Sequence, residues 1–360
     1  MNPLLGGSSK AGARFLFVAA CLVVVVHGLK MASPVLLPFS LALFLAILSV
    51  PMMLGMQRRG VPRPVAVLLS VLAIVAILSV VIFLATESLS QFQAAVPKYR
   101  KQMEGLIRDG VQWLVDRGVP MAKEVPLSLI DPGAVIDLAQ GTVARLASVL
   151  SSTFLVLLIM VFMLAEASGF PEKLRFLLGE KADLGRFRKI VGEVQQYLGI
   201  KTGVSLVTGI LAGLWTALLG VDFPILWGIV AFALNYIPTI GSILAAIPPI
   251  ILGLFGGPGQ AFLVMLGYIG INVALGNIIE PTLQGRQFGI STLVVILSLV
   301  FWGWVWGPMG MLLSVPLTMI LKIALENTDD LRWVAVLLAK WPAEKARIEA
   351  ETAHPPPGPI

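Results

Sequence analysis

The chain alternates long apolar runs with short polar punctuation. Residues 14–29, 34–54 and 64–85 each approach the about 20 apolar residues that one helical membrane crossing needs, and they predict three spans. Residues 87–146 break this rhythm with seven Lys/Arg and seven Asp/Glu, while Val96, Tyr99, Met103, Leu106 and Leu114 fall at helical spacing. That pattern predicts an amphipathic helical module outside the membrane, either a solvated cap or a unit that binds a ligand or partner. A fourth span follows at residues 146–165. Residues 166–201 then turn polar again, with Arg175, Lys181, Arg186, Arg188, Lys189 and Lys201 beside a Phe187, Ile190, Val194, Tyr197 stripe. They predict a helix lying along the membrane surface.

From Gly203 to Leu325 the chain is almost free of charge and punctuated by Gly and Pro, and one plan is used twice. A span at 203–220 precedes 225–256, which is interrupted at Asn235-Tyr236-Ile237-Pro238-Thr239-Ile240-Gly241 and again at Pro248-Pro249. A span at 262–280 precedes 292–325, which is interrupted at Gly307-Pro308-Met309-Gly310 and again at Pro316. The arms of each broken stretch, about 14–18 residues, are short for a full crossing. Re-entrant hairpins would give six spans and two hairpins of opposite topology, and two full crossings per hairpin satisfy the charges equally. The predicted fold is therefore an all-α integral membrane protein of about 6–8 transmembrane helices, with two broken or re-entrant hairpins in an inverted repeat. Its divisions are 1–86, the extracytoplasmic module 87–146, 147–201, a transport core at 202–326, and a cytoplasmic, partly disordered tail at 327–360.

Composition confirms the solvent. Hydrophobic residues make up 57% of the chain and charged residues 13%, with mean hydropathy +0.91; soluble domains are about half apolar and a quarter charged. The net charge of +6 does not indicate nucleic-acid binding, because Lys and Arg cluster at the ends of apolar runs rather than on a basic face. Lys10 and Arg14 before the first span, and Arg58, Arg59 and Arg63 after the second, put the N-terminus inside by the positive-inside rule. Arg286 and the basic residues of 322–347 then put the C-terminus in the cytoplasm too, as expected in a bacterial-type inner membrane.

Reactive chemistry is sparse. Cys21 is the only cysteine and His27 and His354 the only histidines, so no metal centre, cofactor or catalytic cluster is expected. Val18-Ala19-Ala20-Cys21 has the look of a lipoprotein cleavage box, but the apolar run continues to Val26, and a retained helix is the better reading. No phosphate-binding loop is present, so energy would come from a gradient or another subunit. Pro238 and Pro308 each remove a backbone donor, and the neighbouring Gly241, Gly307 and Gly310 permit non-helical angles, which frees polar backbone at membrane depth. Such groups survive only when buried in protein or facing a water-filled cavity, and paired breaks in two repeats point to a transporter's substrate site. Close packing of helices is the competing explanation. Asn235, Thr239, Ser242, Asn272, Asn277 and Gln284 could bind a hydroxylated solute. Glu280, the only acid between Asp222 and Glu326, is either a coupling residue or an interfacial carboxylate paired with Arg286. Pro281 predicts that Glu280 ends a helix. Glu166 reads as an interfacial charge, and Trp302, Trp304 and Trp306 as interface anchors of which at least one points inward.

Three motifs, Asn235 through Gly241 with Pro248-Pro249, Gly276-Asn277-Ile278-Ile279-Glu280-Pro281-Thr282-Leu283-Gln284-Gly285-Arg286, and Phe301 through Gly310 with Pro316, together resemble the autoinducer-2 exporter (PerM-type permease) family. The similarity covers roughly residues 14–340 and is strongest from 200 to 325. It implies an inner-membrane permease, some of whose relatives are linked to export of the furanone signal autoinducer-2 and others to sodium(lithium)/proton antiport. It carries no chemical role for individual residues. Export of a small polar solute is the leading expectation, cation/proton antiport through Glu280 its alternative, and a membrane scaffold acting through 87–146 the alternative of another class. The expected partners are the bilayer and a small polar solute or monovalent cation, and a homo-oligomer is compatible with the pattern.

Overall fold

A computed structural model of the chain describes residues 8–117, 153–167, 184–284, 290–326 and 332–339, with the isolated residues 141, 169, 173 and 176. Helix dominates: α1 Ser8–Met31, α2 Ser33–Arg58, α3 Arg63–Asp116, α4 Thr153–Ala167, α5 Leu184–Leu218, α6 Pro224–Leu234, α7 Ile240–Phe255 and α8 Pro258–Ile271. A π-helical segment, Asn272–Ile279, then leads into α9 Glu280–Gln284, followed by α10 Thr292–Glu326 and α11 Arg332–Leu338. Among the described residues, five stretches are long and apolar enough to cross a bilayer, namely Ser33–Arg58, Arg63–Trp113, Val191–Leu218, Pro258–Gln284 and Thr292–Glu326.

The interior is mainly apolar, but large apolar side chains also cover the outside, as a lipid-facing surface requires. Phe17, Leu72, Phe83, Phe154, Leu218 and Ile296 are exposed, whereas Ser70, Ser205, Thr216 and Ser314 are fully buried. Several inward hydroxyls return a hydrogen bond to the preceding turn, as Ser70 does to the Ala66 carbonyl at 2.8 Å and Thr208 to that of Val204 at 2.8 Å. Small residues let backbones touch. A Cβ on Gly209 would lie 2.7 Å from the Gly228 carbonyl oxygen, and one on Gly213 only 3.2 Å from that of Pro224. This small-xxx-small stripe seats α6 directly on α5.

Four boundaries differ from expectation. No break separates the third span from the polar module, because α3 runs without interruption for 54 residues, about 80 Å, straight through Pro97. Residues 118–140 and 142–146 of that module lie outside the described set. The surface helix expected to end at 201 is likewise continuous with the span behind it, since nothing between Gly199 and Gly203 interrupts the α5 ladder. Pro248-Pro249 lies inside α7 and Pro316 inside the second arm of α10 without ending either helix. A membrane helix tolerates such prolines when neighbouring groups satisfy the freed carbonyls.

Both expected hairpins form. The first is α6 and α7, 11 and 16 residues long, or about 16 and 24 Å against an apolar bilayer core of about 30 Å. At its tip Asn235 donates from Nδ2 to Ser205 Oγ at 3.0 Å and Tyr236 donates to Thr202 Oγ1 at 2.7 Å. Ser205 stands at the middle of the Val191–Leu218 stretch, so this contact lies half way along the apolar part of α5. The second hairpin is α10 itself, folded at Gly307, whose φ of 67° and ψ of −150° suit only glycine. Trp302 Nε1 donates to Thr318 Oγ1 at 3.1 Å. Sixteen residues of straight helix would hold those groups about 24 Å apart.

Candidate functional site

Below the tip of the α6–α7 hairpin lies a cavity of 270 Å³. Its walls come from α5 (Tyr197, Lys201), the hairpin tip (Asn235, Pro238, Thr239, Ser242), the π segment with α9 (Asn272, Asn277, Glu280, Gln284), and the two arms of α10 (Val295, Val315). Thr239 turns the chain with φ 61°, and Gly241 lies so close to the Leu234 carbonyl that an added Cβ would be 1.8 Å from its oxygen. Gly241 therefore shapes the tip from behind rather than facing the cavity.

The π winding explains how two asparagines reach one wall. Residues five apart on an α-helix point about 140° apart, but in a π-helix they are joined by the i→i+5 hydrogen bond. Asn272 and Asn277 thus both face the cavity. The wider winding also accommodates Pro281, so the helix passes through Glu280 to Gln284 instead of ending at Glu280 as expected.

One compact charge pair sits in the wall. Lys201 Nζ donates to Glu280 Oε1 at 2.8 Å and to Oε2 at 2.9 Å, and Gln284 Nε2 donates to Oε1 at 3.0 Å. Side-chain exposure is 6% for Lys201 and 13% for Glu280, so this is a buried pair that cancels its own charge. The partner of Glu280 is Lys201; Arg286 lies outside the described residues. Around the pair the lining mixes amides and hydroxyls with the apolar side chains of Pro238, Ile290, Val295 and Val315. No hydrogen bond among the described residues occupies the side chains of Thr239, Ser242, Asn272 or Asn277, which leaves them available to a solute.

The structure brings Asn235, Pro238, Thr239, Ser242, Asn272, Asn277, Glu280 and Gln284 together, but not the second break. Gly307, Pro308 and Gly310 form a tip against the end of α1, where Trp306 Nε1 donates to the Leu29 carbonyl at 3.0 Å. Trp302, Val305 and Trp306 pack there on Val26, Leu29 and Leu36. Pro316 is buried in the returning arm. Trp304 faces outward, with Lys30 Nζ 4.3 Å from its ring centre, so the spacing of two sends Trp302 and Trp306 inward and Trp304 out. Glu166 is exposed and pairs with Lys173, in keeping with an interfacial charge. Lys201 and Tyr197 escaped the sequence reading because both were assigned to a surface helix. A lone lysine on a helix whose next turns are apolar was the available signal.

A family model described as AI-2E family transporter matches residues 17–330. The AI-2 transport protein TqsA of Escherichia coli K12 is 40% identical over 332 residues, covering 91% of this chain and 96% of that protein. The putative transport protein YhhT of the same strain is 35% identical, covering 91% and 95%, and a putative transport protein of Haemophilus influenzae is 37% identical, covering 90% and 96%. With its apolar helices, the chain is a multi-pass inner-membrane permease, and it belongs to the AI-2E family of transporters.

Proposed function

We propose that this permease exports a small, polar, uncharged solute of the AI-2 type by alternating access around the α6–α7 hairpin. The observation that carries this reading is the 270 Å³ cavity at the tip of the first hairpin, where amides and hydroxyls, with a few apolar side chains, surround a charge pair that sums to zero. Neutral walls with free hydrogen-bonding groups favour a neutral, hydroxylated ligand, since a lone ion would have to displace Lys201 or Glu280 from its partner. The same pair gives the cation/proton alternative no support, because Glu280 already holds a fixed cation. AI-2 enters through the name of TqsA, which matches this chain nearly end to end.

In this reading α1 to α5 and the α8–α9 unit make six crossings, and the two hairpins re-enter from opposite sides. Val295 and Val315 of the second hairpin, with Ile290 just before it, line the same cavity as Pro238 and Thr239 at the tip of the first, which supports the inverted arrangement. Both termini are cytoplasmic, and the polar end of α3 projects outside. Above the tip, Trp227, Leu234, Ile237, Ala245 and Tyr268 form a buried cluster with Phe92 and Tyr99, which closes the path on the outer side. The conformation is then inward-facing.

Export of AI-2 from proteoliposomes tests this directly. Asn235→Ala and Asn272→Ala are each expected to raise the half-saturating AI-2 concentration about tenfold, the equivalent of one lost hydrogen bond. Unchanged half-saturation in both variants would refute the site. Replacing residues 118–146 by an unrelated helical segment, which keeps Phe92 and Tyr99 in the closing cluster, is expected to leave flux intact; loss of a bound partner with flux retained would instead favour a scaffold.

A further inference from the structure

Tyr268, on the last turns of α8, is 7% exposed, and its hydroxyl has no hydrogen-bond partner among the described residues. Such an orphan group is uncommon in a folded interior and asks for a ligand. Tyr268 borders a second, small cavity of 20 Å³, shared with Thr208 of α5 and with Asn235, Ser242 and Asn272. Those last three residues also line the 270 Å³ cavity, so the small cavity adjoins it across a shared wall. Its remaining wall is apolar, from Ala212, Ala231, Ala245 and Ile271.

The dimensions select the occupant. A space of this size admits about one water-sized group, and only when two to four polar partners surround it. The Tyr268 hydroxyl, Asn272 amide and Ser242 hydroxyl provide that number. Asn235 adds its carbonyl oxygen, because its Nδ2 is committed to Ser205. Among the described residues no charged side chain lines the recess to balance an ion, which favours a neutral occupant, and a methyl group would leave all four polar groups unpaired.

We propose that this recess is a hydroxyl-binding subsite in which Tyr268 determines specificity: it takes one hydroxyl of a solute whose body occupies the cavity below. The proposal rests on the transport reading above and refines it. It also places the first contact of the outward path, since Tyr268 belongs to the cluster that closes the outer side. One hydroxyl must reach the recess before the cluster opens. A bound water offers the same chemistry, and the two sources are separable by experiment.

The test uses the full chain in proteoliposomes, with AI-2 as transported solute and two inhibitors, cis-tetrahydrofuran-3,4-diol and tetrahydrofuran-3-ol. The intact protein should prefer the diol, and Tyr268→Phe should raise the half-saturating AI-2 concentration about tenfold and abolish the preference. Ala245→Ser, which carries a hydroxyl into the recess from its own wall, should weaken AI-2 in the same direction. Tyr268→Phe removes an unsatisfied buried group, so its melting temperature should not fall, which separates binding from folding. Unchanged AI-2 half-saturation in both variants would overturn the proposal, as would equal weakening of diol and mono-ol, the signature of a bound water. Failure of the broader site would appear elsewhere, as indifference to Asn235→Ala and Asn272→Ala.

Discussion

At the tip of the first hairpin a Cβ on Gly241 would meet the Leu234 carbonyl oxygen at 1.8 Å, and at the tip of the second a Cβ on Gly310 would meet that of Trp302 at 1.9 Å. Each turn presses the start of the returning arm onto the end of the outgoing one. Around this shared device the two regions diverge. The first tip carries Asn235, Thr239 and Ser242 into a cavity walled by further amides, while the second carries Trp302 and Trp306 into apolar contact with α1 and caps the Leu29 carbonyl. A broken helix in a membrane is thus not itself a binding site. The side chains around the freed backbone decide whether it meets a solute or a neighbouring helix.

The comparison breaks most sharply at its shared element. Gly241→Ala and Gly310→Ala should each cost at least about 3 kcal/mol, because neither carbonyl can retreat without unwinding an arm. Thermal melting in detergent checks this, and loss in only one of them would show that the turns are not equivalent. Next in size is the Lys201–Glu280 pair in the cavity wall beside the first hairpin. Lys201→Met should destabilise by about 3 kcal/mol by leaving Glu280 buried and unpaired, and adding Glu280→Gln should recover most of that loss. A third test separates the hairpins functionally. Thr318→Val removes the acceptor of Trp302 and should cost about 1 kcal/mol while leaving AI-2 half-saturation unchanged. The smallest effect belongs to Tyr236→Phe, which loses the bond to Thr202 and should cost about 0.5–1 kcal/mol in a melting experiment.

Much of this arrangement is legible in the chain because lipid imposes so few solutions. Apolar length located α2 and the cores of α3 and α5, and Pro238 and Pro308 marked both turns. Asn235, Thr239, Ser242, Asn272, Asn277, Glu280 and Gln284 stood out simply as polar residues in an apolar region, and they meet in one cavity. What escaped depends on contacts between distant segments. Lys201 resembled one more interfacial cation until Glu280, 79 positions later, was placed beside it. The π winding that turns Asn272 and Asn277 to one side has no local signature, and neither does the orphan hydroxyl of Tyr268. The polar residues after 86 suggested a new domain, yet charge on a helix face does not end a helix, and α3 continues.

Solute protection of engineered cysteines tests the central claim most directly. In a Cys21→Ser background, Thr239→Cys should react with a water-soluble thiol reagent and be slowed by AI-2, because Thr239 is exposed at the cavity. Met309→Cys, beside the sealed turn, should react at a rate that AI-2 does not alter. Protection of Met309→Cys with Thr239→Cys indifferent to AI-2 would place the solute at the second hairpin and contradict the account.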